Sequence, residues 1–80
     1  MGKAKKVNLY DQWRDYPAPV KTRGGCKVSW NYYDTHAAAV ACAENAMHNA
    51  VIALRDGYDF GYCSPGSIAL VDGLYEVCLP

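Results

Sequence analysis

Eighty residues with a formal charge of zero describe one small domain with a modest core. An isoelectric point near 6.7 argues against a uniformly basic nucleic-acid binder. Cys26, Cys42, Cys63 and Cys78 contain no C-x₂₋₄-C pair and the two histidines are apart on the helix, so neither a metal site nor a cofactor is expected.

The charge is unevenly placed. Residues 1–27 hold seven Lys/Arg against two Asp, and residues 28–80 hold one Arg against six acids, a division of +5 and −5. Such a dipole can orient the molecule on a charged partner, and it can equally be a solvated basic tail. Met1 to Lys6 lacks the apolar run of a signal peptide. The expected setting is therefore cytoplasmic, with four reduced thiols.

Taken in order, residues 1–19 form a basic N-terminal arm or an extra strand, and residues 20–80 form a single α+β domain. Val7 and Leu9 alternate with polar neighbours, a weak strand signal over Lys6 to Tyr10, before Pro17 and Pro19 interrupt any ladder. Val20 to Arg23 and Cys26 to Tyr33 flank Gly24-Gly25, which predicts a hairpin with a two-residue turn. Along its second strand Cys26, Val28, Trp30 and Tyr32 share one face; Lys27, Ser29, Asn31 and Tyr33 share the other.

Thr35 to Gly57 is the one long helix, free of internal Pro and Gly and dense in Ala. Asp34 or Thr35 can cap its start, and Gly57 stands where a left-handed residue ends a helix. Val40, Met47, Val51 and Leu54 make an apolar ridge beside a stripe of small residues, Ala39, Ala43, Ala46, Ala50 and Ala53. Glu44, Asn45, His48, Asn49 and Asp56 lie opposite and read as the wet side. After an aromatic loop, Ser67 to Val71 and Leu74 to Leu79 flank Asp72-Gly73, a strong hairpin signal. The order is β-β-α-β-β, a small antiparallel sheet with the helix on one face.

Catalysis is not expected. Cys63, in a loop, is the one thiol with a plausible setting for nucleophilic chemistry, and no oriented base and third group accompany it. Nucleic-acid binding is a competing reading: Lys3, Lys5, Lys6, Lys21, Arg23 and Lys27 supply charge, and Trp13, Tyr16 or Trp30 could stack on bases. The loop Tyr58 to Gly66 is the most distinctive stretch. Tyr58, Phe60 and Tyr62 alternate within a Gly- and Pro-bearing frame, suited to a knob for a partner's pocket or to closing a small core, with alternate rings facing in and out.

Over residues 20–80 the basic start, the Gly-Gly hairpin, the Ala-rich helix opened by Asp34-Thr35-His36 and the final Asp72-Gly73 hairpin resemble short accessory proteins of bacterial viruses. Several anti-CRISPR proteins are similar in size and in carrying one helix on a small antiparallel sheet, and the Gly57–Gly66 loop looks like one found in short marine-phage proteins. This resemblance implies a protein-binding role: inhibition of a host defence or other host machine in the host cytoplasm, or attachment to a virion, where an N-terminal arm draped on a neighbour would serve. The expected partner-binding residues are Tyr58, Phe60, Tyr62, Lys3, Lys5, Lys6 and Arg23. The expected partner is a protein of the host or virion, with nucleic acid as the alternative and self-association also compatible; no membrane partner is expected.

Overall fold

The computed structural model describes residues 8–80. Its long helix, α1 (His36–Arg55), begins where Thr35 leaves the extended region and its side chain accepts the Ala38 N–H at 3.2 Å. A cap of this kind contributes about 1 kcal/mol. The helix ends because Gly57 adopts a φ of 83°, with Gly57 N–H donating to the Leu54 carbonyl and Tyr58 N–H to that of Ala53. That pair of bonds satisfies carbonyls the last turn leaves open.

Four strands, β1 (Lys21–Gly24), β2 (Ser29–Tyr33), β3 (Ile68–Val71) and β4 (Leu74–Leu79), make one antiparallel sheet in the order β1-β2-β4-β3. The α+β architecture expected from the sequence is the one observed. Asp72 and Gly73, with φ of 50° and 79°, form the tight turn between β3 and β4. The first hairpin departs from expectation. Gly24 pairs with Ser29 at the end of the ladder, so the connection is the four residues Gly25 to Val28, not a Gly-Gly turn. Gly25 is required by space: a Cβ there would lie 2.7 Å from the Trp30 ring and 2.9 Å from the Val28 carbonyl.

The sheet and α1 meet through small side chains. Ala39, Cys42, Ala43 and Ala46 pack on Tyr33, Val77 and Leu79, all buried. A second cluster joins Ala50 and Ala53 to Val28, Phe60 and Cys78, with Trp13 and Trp30 against it. Because alanines let the helix lie close to the sheet, the larger apolar residues are pushed to its flank. Met47, Val51 and Leu54 are exposed, and Val40 is half-buried.

The side of the helix read as wet is largely covered. Residues 8–19 run along it as a short 3₁₀ turn, η1 (Leu9–Gln12), followed by extended chain. Asn8 caps that turn by accepting the Tyr10 N–H, so residues 8–10 of the strand expected at Lys6 to Tyr10 are not extended; Lys6 and Val7 lie outside the described residues. Asn49, completely buried, accepts from Arg14 N–H and donates to the Arg14 carbonyl, each at 2.8 Å, and donates to the Tyr16 hydroxyl at 2.9 Å. His48 Nε2 donates to the Gln12 carbonyl and Asn45 to that of Asp15. Farther along, the Tyr33 hydroxyl donates to the Pro17 carbonyl and accepts from Asn31. By length and hydropathy α1 could pass for a membrane span, yet here its Ala side is covered by the sheet and its amide side by residues 12–16.

Candidate binding surface

Between α1 and β3 the chain crosses one end of the sheet as the aromatic loop, and local hydrogen bonds fix its shape. Asp59 accepts the Gly61 N–H at 2.8 Å and Lys27 Nζ at 3.0 Å. These two donors, the Gly61 amide first, hold the Asp59 carboxyl below its ordinary pKa. The Tyr58 hydroxyl donates to the Lys27 carbonyl, and Cys63 N–H reaches the Phe60 carbonyl. At the far end Gly66, with φ 90°, lies so close to α1 that a Cβ would collide with Met47 and approach the Ala43 carbonyl at 3.2 Å.

The three rings take different roles. Phe60 is buried in the second core cluster, and the adjacent Tyr58 ring packs at 5.3 Å from it while remaining half-exposed. Tyr62 is fully exposed at the tip of the turn. Phe60 therefore supports the loop from beneath, and Tyr62 projects into solvent. Beside Tyr62 lies a shallow groove of about 320 Å³ with Val28, Trp30 and Phe60 in its wall and Cys26 and Cys63 among its lining residues. Cys26 and Cys63 are exposed free thiols, while Cys42 and Cys78 are buried. Burial pushes Cys78 up to about 11, so it stays a neutral thiol at ordinary pH.

Arg23 is on the other face of the sheet, away from α1. Its guanidinium lies 3.8 Å over the Trp30 ring, its Nε donates to the Tyr32 hydroxyl, and Nη2 is 3.4 Å from Glu76. Tyr32 in turn donates to Glu76 at 2.6 Å, and Lys21 Nζ is 4.8 Å over the Tyr32 ring. The cations of β1 thus cap the aromatic rings of β2. Lys3, Lys5 and Lys6 lie outside the described residues. The Trp30 ring on which Arg23 lies also lines the groove beside Tyr62.

Asn45, His48 and Asn49 are the residues sequence reasoning missed. Three amide or imidazole side chains within an otherwise Ala-rich helix were the available signal. No protein-family model, curated protein or solved structure matches this chain.

Proposed function

We propose that this domain is a non-catalytic binding module whose partner is a protein, and that Tyr62 anchors the complex. The observation that carries this reading is a fully exposed tyrosine held at the tip of a hydrogen-bonded turn beside an apolar groove. The hydrogen-bonded turn already holds the backbone that carries the ring, so binding has only the two torsions of a tyrosine side chain left to order. Tyrosine is also among the residues that dominate interface energetics. A protein is favoured over nucleic acid because Arg23 and Lys21 already cover the Trp30 and Tyr32 rings and Arg23 pairs with Glu76.

The resemblance to viral accessory proteins supports the setting: a host or virion protein is engaged, as in inhibition of a host machine or decoration of a particle. The test is capture of partners by the tagged domain from infected-cell lysate with nuclease added, followed by affinity measurement. Tyr62→Ala is expected to weaken the captured protein about thirtyfold while the circular dichroism spectrum stays unchanged; Tyr10→Ala, an exposed ring elsewhere, is expected to leave affinity intact. Undiminished binding by Tyr62→Ala, or loss of all partners on nuclease treatment, would overturn the reading.

A further inference from the structure

The flank of the domain along β3 differs in kind from the rest of its surface. β3 is an edge strand with the sequence Ile-Ala-Leu-Val, without a charge or proline; its one irregularity is a bulge just before it, where Gly66 and Ser67 both bond Cys78. Native edges normally carry such features because an open row of backbone groups invites pairing. The opposite edge, β1, has them in Lys21 and Arg23.

The hairpin register says which backbone groups are open. The two-residue turn makes Val71 and Leu74 a hydrogen-bonded pair, and bonding alternates from there. Ala69 therefore bonds to Glu76 of β4, while the N–H and C=O of Ile68 and Leu70 point outward. Their side chains face the helix side of the sheet, since Ile68 stands opposite Val77 of the core. Both are exposed, Leu70 at 67%. The first turn of α1 lies toward Leu70, whose partner Tyr75 meets the His36 ring at 5.3 Å, and the exposed Met47 lies toward the start of the strand. Gly66, two residues before β3, packs on Met47, so Met47 and the strand edge belong to the same side of the molecule. Among the described residues nothing covers it.

We propose that this flank binds a second copy of the chain, through antiparallel pairing of β3 with β3 about a two-fold axis at Ala69. The edge is self-complementary in that register. Ile68 of one copy faces Leu70 of the other, both present outward N–H and C=O groups, and each facing pair can exchange both bonds. No like charges meet, because the strand has none; pairing through β1 would place Lys21 and Arg23 against their own copies. The result is a continuous eight-stranded sheet with both helices on one face, and it covers Ile68 and Leu70 together. The Tyr62 surface lies at the end of the sheet and stays free, so the two readings fail separately.

The decisive experiment is sedimentation equilibrium over micromolar to millimolar protein, paired with two edge variants. The wild-type chain is expected to be a concentration-dependent dimer. Leu70→Lys places a charge at the seam, and Ile68→Pro removes only an N–H that points away from β4; each is expected to raise the dimer dissociation constant by at least tenfold. Should either variant lose its fold by circular dichroism, cross-linking decides. Ala69→Cys, with Cys26 and Cys63 changed to Ser, brings two thiols together at the axis, within the Cα separation a disulfide spans. Rapid oxidation to a covalent dimer is expected there, with none for Thr22→Cys on β1 in the same background. A wild-type monomer throughout the concentration range, a dimer indifferent to both folded variants, or no preference for the Ala69 position would overturn the proposal.

Discussion

The two flanks of the domain handle exposed helix and sheet edge in opposite ways. On the β1 side the chain folds its own residues 8–19 back over α1, and a buried asparagine stitches that segment in place. The strand edge there carries charge. On the β3 side, among the described residues, there is no covering segment and no charge on the strand, and large apolar residues face outward from helix and strand alike. Both flanks hang on the same Ala-rich helix, so the contrast teaches that the alanine stripe sets the distance between layers while the neighbouring residues decide what each side can recruit. One side recruits its own backbone through amide side chains; the other offers surface to something else.

The largest effect is expected from breaking the covered side. Asn49→Ala removes three hydrogen bonds and leaves Arg14 N–H and C=O without those partners. Urea denaturation should show a loss of about 3 kcal/mol, with hydrogen exchange faster over residues 13–17. A loss near zero would show that the segment contributes no stability.

Gly66→Ala comes next and strikes the open side, where the helix flank meets the start of β3. Its positive φ and the collision with Met47 together should cost about 2 kcal/mol. Adding Met47→Ala should recover part of that loss, because Met47 is itself exposed and its truncation alone is cheap. Equal losses in the single and double variants would mean that backbone conformation alone sets the cost.

The smallest effect concerns the turn that both flanks leave at the sheet's end. Asp59 has a lowered folded pKa, so its contribution to holding the turn is complete above the ordinary carboxylate value and disappears as pH falls through the folded value. The Gly61 amide resonance should therefore hold steady from neutral pH to about pH 4 and move only below it, and Asp59→Asn should abolish the movement. A midpoint at or above the ordinary carboxylate value would contradict the two donors assigned to Asp59.

Much of this architecture could be read in the residues, because it rests on local chemistry. Thr35 as cap, Gly57 as terminator and Asp72-Gly73 as turn each act within a few positions. The alternation in β2 was also legible: Asn31 and Tyr33 share the helix-facing side, and Trp30 and Tyr32 the other. Periodicity could not say which helix stripe the sheet would choose. Val40, Met47, Val51 and Leu54 look like a core ridge, but the alanines permit the closer approach and take the sheet. The amide side chains in the Ala-rich helix gave a hint of the Asn49 clasp but not its partner, since Arg14 is 35 residues away and contributes only backbone atoms. At the candidate site, residue spacing left open which rings of the aromatic loop face in, and only packing separates buried Phe60 from exposed Tyr62, while Arg23's engagement with Trp30, Tyr32 and Glu76 required the strand register.

The seam at the middle of the sheet has a consequence for how the chain reaches this state. β2 and β4 pair Ser29 with Leu79 and Tyr33 with Tyr75, although the entire helix and aromatic loop lie between them in sequence. Each hairpin can form on its own, but neither can bury Tyr33, Val77 or Leu79 until the seam closes beneath α1. Closing so long a loop must precede the contacts that reward it, which places this small domain among slower folders than its helix and tight turns would suggest. A cut within the aromatic loop would release a C-terminal hairpin able to complete the remaining fragment by adding β4 to β2.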